Sequence, residues 1–228
     1  MSIPGATTGA GTTGSTRPAV GVKPFVPRPP GTYSFDTSGQ MQVSGSFVNH
    51  TYPMPPTTTL EIDPASGSSQ RTVRDMRDSK GNGRVAEMRL GFAADGLHLE
   101  FLKNTTFVAG VKDERIFLPS PPPLVLRTGA PDGDHVHFTL QGSGVTATTD
   151  VSVLRHEALT VGGSSVSSIV IRLHTTFSGD VQGEDTATNW FRPTDGLLLR
   201  EEDSSDATSG SSRVRTNYTA TLKSLTPS

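Results

Sequence analysis

The sequence predicts an all-β protein: a strongly curved antiparallel sheet of half-barrel or barrel-like form, with a two-layer β-sandwich as the alternative. Three observations carry that reading. Apolar residues recur at every second position in run after run, turn-forming glycine, proline and asparagine separate the runs, and amphipathic helical spacing is nearly absent. With 24 Gly and 17 Pro in 228 residues, the chain reads as strands joined by tight turns. Each predicted strand offers one apolar face, so the sheet must curl on itself or stack in two layers to bury it.

The elements can be taken in order. Residues 1–30 are a Thr/Gly/Ser/Pro tract ending in Pro24-Phe25-Val26-Pro27-Arg28-Pro29-Pro30. So little apolar surface does not offset the entropy of ordering the backbone, which predicts a disordered or polyproline-like linker before a single β domain over 31–228. Tyr33 and Phe35 open the alternation, Thr37-Ser38-Gly39 reads as a turn, and Met41, Val43 and Phe47 suggest the partner strand. The proline-rich stretch from Tyr52 to Pro56 does not suit an inner strand, whereas Thr57 to Ile62 does.

Between Gln70 and Lys80 a helical turn competes, because Val73 and Met76 stand three apart among arginines and aspartates. A hairpin follows, with Ala86, Met88, Leu90 and Phe92 on one face, a turn at Ala94-Asp95-Gly96, then Leu97, Leu99 and Phe101 alternating with His98 and Glu100. Arg115 to Leu118 is a short strand ended by Pro119-Ser120-Pro121-Pro122-Pro123, and Leu124 to Arg127 resumes. Val136, Phe138 and Leu140 mark the next strand. The longest alternation runs from Val145 to Val161 and returns through Gly162-Gly163 into Ile169, Ile171, Leu173 and Phe177. Beyond Trp190 and the turn at Pro193 to Gly196, Leu197 and Leu199 start another strand, the acidic Glu201 to Ser212 reads as a solvated loop or hairpin tip, and Val214, Thr216, Tyr218, Ala220 and Leu222 line one face of the last strand.

Several function classes fall away. The net charge of -2 leaves no electrostatic footprint for nucleic acid. The absence of cysteine removes disulfides, thiolate catalysis and thiolate metal sites. No run of about 18 apolar residues is present and the N-terminus lacks the basic and apolar regions of a signal peptide, so a soluble chain without a transmembrane segment is expected. No Gly-x-Ser-x-Gly, His-Glu-x-x-His or phosphate-cradling glycine loop occurs, so the expectation is a non-enzyme without cofactor. Asp132, Asp134, His135 and His137 contain two potential metal ligands two residues apart on a strand, but two ligands make no site, and a solvated polar face is the expectation. The acidic pairs Glu184-Asp185 and Glu201 to Asp206 are read as loops facing water rather than as paired catalytic carboxylates. The glycosylation sequons at Asn49, Asn104 and Asn217 arise readily by chance in a threonine-rich chain.

The stretch from Asn189 to Glu201, with Trp190, Pro193, Gly196, Leu197, Leu199 and Glu201, resembles the final hairpins of bacterial envelope half-barrel proteins, among them the lipoprotein carrier LolA, the lipoprotein LppX and TapB-like domains. The resemblance covers about 40 residues, and the chain departs from the carriers in offering no long helix to plug a half-barrel. It implies an extracytoplasmic domain of the cell envelope, or a secreted one, whose curved sheet holds a lipid or other hydrophobic ligand or meets an envelope protein; a cytoplasmic location is the alternative. The candidate cavity residues are Trp190, Phe177, Leu173 and Ile171, then Leu197 and Leu199, together with Phe101 and Tyr218. The rival reading is a structural or protein-interaction β module whose core is filled.

Overall fold

A computed structural model describes residues 23–45, 49–108 and 110–228. Among these residues there is no helix, and fourteen strands form one antiparallel sheet. The first half supplies β1 (Gly31–Ser44), β2 (Asn49–Pro53), β3 (Thr57–Ile62), β4 (Ser69–Asp75), β5 (Gly83–Phe92), β6 (Gly96–Val108), β7 (Val111–Phe117) and β8 (Leu124–Arg127). The second supplies β9 (His135–Gly142), β10 (Val145–Val161), β11 (Ser164–Gly179), β12 (Val181–Phe191), β13 (Leu198–Ser209) and β14 (Ser212–Leu222).

The spatial order is β7-β6-β5-β4-β3-β1-β14-β13-β12-β11-β10-β9, with β2 beside β1 and β8 beside β6. Each half is thus a meander of neighbours in sequence, and the β1–β14 pair joins the halves. The two ends of this order meet along a seam. Ile116 N–H of β7 donates to Ser143 Oγ (3.0 Å) and the Arg115 guanidinium donates to Ser143 O (2.9 Å). Gly142 makes the approach feasible, since a Cβ there would stand 2.0 Å from Ile116 O. The sheet is therefore nearly closed into a barrel, which removes most of the unpaired strand edge that an open sheet exposes.

Several local expectations need correction. Thr37-Ser38-Gly39 is not a turn. β1 runs through it, because Gly39 takes φ +132° and lies against β14, where a Cβ would come within 2.2 Å of Asn217 O. Met41 and Val43 therefore continue the same strand, and Phe47 lies outside the described residues. Gln70 to Asp75 is a strand, not a helical turn. Its alternate residues Gln70, Thr72 and Arg74 are buried, so a period of two in polar side chains replaces the apparent spacing of three between Val73 and Met76. The acidic segment after Glu201 is also strand, extending to Ser209.

One end of the barrel is closed by packing. Of the stretch expected as linker, residues 1–22 lie outside the described residues, and the remainder runs extended across this end. Phe25 is buried against Leu97, Leu126, Val153 and Ile169. Val26 N–H donates to Thr194 O, and Gln70 accepts from Arg28 N–H through Oε1 and donates to Arg28 O through Nε2. The Arg28 side chain is buried too, its Nε donating to Asp195 O at 3.2 Å, and burial pushes its guanidinium down to about 10. The long β10–β11 hairpin bends at a bulge between Val153 and Arg155 and brings its Gly162 tip to the carbonyl of Lys223, just past β14.

Candidate functional site

The opposite end, carrying the β6–β7 and β13–β14 turns, holds a cavity of about 500 Å³, within the roughly 300–1,000 Å³ usual for small-molecule sites. Its walls are apolar because alternate residues of long strands point inward. Met41 and Val43 of β1, Phe117 of β7, Val145 of β10 and Phe177 of β11 all line it. At the rim, Val111 is 68% exposed.

Its floor is charged. On β12 and β13, the register sets Asp185 opposite Ser205, Ala187 opposite Asp203, and Asn189 opposite Glu201. Tyr218 of β14 stands opposite Asp203. From the other half of the barrel, β4 and β5 contribute Arg74 and Arg84. Arg84, Asn104, Asp185 and Tyr218 line the cavity, and Arg74, Glu201 and Asp203 lie around and beneath them. Arg74 sits 3.9 Å above the Phe35 ring and 4.0 Å from Glu201. All three of its guanidinium nitrogens lack a hydrogen-bond partner among the described residues, as do Thr72 Oγ1, Asn104 Oδ1, Asn189 Oδ1 and Asp203 Oδ1.

Burial and like charge shift these groups together. The Asp203 carboxyl is pushed well above the usual carboxylate range, first by burial and then by Asp185, with Arg84 opposing. Asp185 is raised mainly by burial, against the pull of Arg84. Tyr218 is raised well above its ordinary value by burial, then by Glu201 and Asp203. For Arg84, burial works to lower the value, but the combined field of Tyr218, Asp203, Asp185 and Glu201 outweighs it and the net shift is upward. Arg74 is lowered by burial, with Glu201 opposing. Perturbed titratable groups gathered at the base of a cleft mark a candidate site.

The structure separates the residues that the sequence grouped as cavity candidates. Phe177 and Tyr218 line the cavity. Leu197 and Leu199 are fully buried in the cluster at the closed end with Tyr33, Phe35 and Leu222. Trp190 belongs to that cluster as well, its indole N–H donating to Glu157 Oε1 at 2.5 Å and its ring lying 5.0 Å from the Arg200 guanidinium. Ile171 and Leu173 pack with Phe25 and Val151. Phe101 lies outside all three apolar clusters and pairs with the exposed Arg89. A bulge between Arg89 and Leu90 causes this: it shifts the register by one, so Leu99 and Leu102 face the core and Phe101 does not.

The histidine and aspartate quartet does not converge. Asp132 pairs with His156 (2.6 Å), Asp134 with Arg127 (3.2 Å), and His137 and His135 approach Asp150 at 2.7 and 3.3 Å on the exposed side of the sheet. Among the described residues, no group of three or more His, Asp or Glu is placed to hold a metal ion, and no helix is long and apolar enough to cross a membrane.

What sequence reasoning missed is the floor. In the sequence Glu201, Asp203 and Asp185 read as solvated loop residues, whereas the register turns them inward and leaves Glu184, Glu202 and Asp206 to the outer face. Asp206 there pairs with Arg213 and Arg215 at 2.5 and 3.1 Å. The available signal was the spacing of two between Glu201 and Asp203.

No protein-family model matches the chain, and no curated protein matches it in sequence. Among solved structures, the hypothetical lipoprotein YmcC from Escherichia coli (K12) is similar at 10% identity and a TM-score of 0.34, with 80% of this chain and 85% of that one covered. At this identity and TM-score, no residue role, ligand or location passes from that protein to this chain, and the narrower likeness to LolA and LppX is not established by it.

Proposed function

We propose that this protein is a non-enzymatic binding domain whose barrel takes a small amphipathic molecule, apolar body against the walls and polar head toward the floor. The observation that carries the reading is the cavity itself: about 500 Å³, walled by Val43, Val145, Phe117 and Phe177, and floored by Arg84 and Asp185. A filled structural module would continue its core packing to both ends. Here dense packing accounts for the end around Phe35, Leu197 and Leu199 but stops short of the other. Apolar walls supply affinity in proportion to the area they remove from water, and the few polar groups fix orientation.

The half-barrel resemblance and the spacer-like N-terminal composition support an extracytoplasmic setting, in which a lipid or lipid-derived molecule is the natural ligand. Native mass spectrometry and organic extraction of the purified protein test the reading. A co-purified amphiphile of discrete mass, released by denaturation, is the expected result. Clean protein that also takes up no added apolar compound would overturn it and favour a protein-interaction module.

A further inference from the structure

We infer that the cavity recognises a carboxylate head carried on an apolar chain, and that Arg84 of β5 is the group that meets it. This rests on the cavity reading above. The charged residues that line the cavity are Arg84, Lys112 and Arg115 against Asp113 and Asp185. Those of β7 are already matched near the mouth, where Arg115 pairs with Asp113 at 3.0 Å and Lys112 with Glu114 at 2.7 Å. Arg84 and Asp185 remain. Among the described residues the Arg84 side chain makes no hydrogen bond and no ion pair, so a planar fork of five N–H donors lines an apolar cavity without a partner. The other interior guanidinium, Arg74, is outside the lining, stacked 3.9 Å from the Phe35 ring and 4.0 Å from Glu201. Asn104 and Tyr218 complete the polar part of the lining beside Arg84 and Asp185.

The two remaining groups differ in what they can do without a ligand. A carboxyl closed off from water takes up a proton and becomes neutral, whereas a guanidinium keeps its charge and has no such exit. The shifts run the same way, because burial makes Asp185, and Asp203 beneath it, hold protons more tightly than a free carboxylate does. The other charged or titratable groups around them are Arg74 from β4, His174 from β11, Glu201 from β13 and Tyr218 from β14. With the aspartates protonated and Glu201 nearest to Arg74, one positive charge is left over, on Arg84. A monoanion with two parallel acceptor oxygens matches both that charge and the geometry of the fork. A phosphate monoester brings a second charge for which the lining holds no second unpaired cation, and an ammonium head would be repelled by Arg84.

Competition against pyrene, a neutral fluorescent probe of the apolar walls, tests the inference with octanoate, octanol and octylammonium as competitors on the full chain. Octanoate is expected to displace pyrene at concentrations at least about tenfold lower than the other two, against the order that apolarity alone would give. Its advantage is expected to shrink as rising pH ionises Asp185 and Asp203 and gives Arg84 anions from the protein itself. In Arg84→Met the preference should vanish while pyrene affinity stays close to wild type. In Arg84→Lys, which keeps the charge but not the fork, octanoate should weaken while octanol is unchanged, and this variant carries the test if Arg84→Met does not fold. Equal displacement by all three, preference for octanol or octylammonium, or an octanoate preference untouched by either substitution would overturn the carboxylate head but leave the cavity standing. Failure of wild-type protein to take up pyrene would overturn the cavity and the head assignment together.

Discussion

At the scale of single residues, Trp190 and Asp203 show how burial decides role. Trp190 is 6% exposed in the closed-end cluster, and its one polar atom is satisfied by Glu157. Trp190→Ala should therefore cost about 3–5 kcal/mol in a denaturant titration, with pyrene affinity unchanged; a variant as stable as wild type would remove Trp190 from the core. Asp203 is the reverse case, a buried group that works against stability at neutral pH. Burial favours its neutral form, so the folded chain keeps a proton that the unfolded chain has released. The stability this provides is full below the unfolded carboxylate value of about 3.9 and is lost as pH rises toward the raised folded value. Asp203→Asn, which mimics the neutral form at every pH, should melt higher than wild type, by a margin that widens from about pH 4 to about pH 7. The sequence offers Trp190 as a cavity candidate; its size and apolarity report that it is buried, but not that it is buried in the packed cluster at the closed end. The burial of Asp203 was not legible, because its surroundings are assembled from several strands, Asp185 and Tyr218 on the neighbouring β12 and β14 and Arg84 on β5 from the other half of the chain.

At the scale of elements, alternation was the reliable guide wherever one face was apolar. The hairpins of β5–β6 and β10–β11 and the inner face of β14 were readable for that reason. It failed where both faces are polar, as on β4, whose buried positions are Gln70, Thr72 and Arg74, and on the acidic part of β13. It failed again at Phe101, where a bulge reverses which residues face inward, and at Gly39, where a turn residue instead permits close strand approach. Gly39→Ala puts a side chain into a backbone conformation that costs about 1–3 kcal/mol, before any penalty for the 2.2 Å approach to Asn217 O. We expect a marked loss of melting temperature in that variant. The same substitution at Gly67, where a Cβ meets nothing within 4 Å, controls for conformation alone.

At the scale of the whole molecule, the fold class was legible because a one-sided sheet of this size has few ways to hide its apolar face. The closure between β7 and β9 was not, since it depends on Gly142, Ser143 and Arg115 meeting across the seam. Nor was the N-terminal plug: a proline-rich composition reads as linker, yet Phe25 and Arg28 gain burial only once the barrel end exists to receive them. These two features make the molecule a cup, filled at one end and hollow at the other. Ala207 lines the hollow end, so a large side chain there occupies the cavity without disturbing the packed end. Pyrene titration of wild type and Ala207→Trp, both checked for folding by circular dichroism, tests the central claim most directly. Saturable pyrene uptake by wild type at one site, lost in Ala207→Trp, is the predicted result; uptake that is absent in wild type, or unchanged in the variant, would contradict the cavity as the functional site.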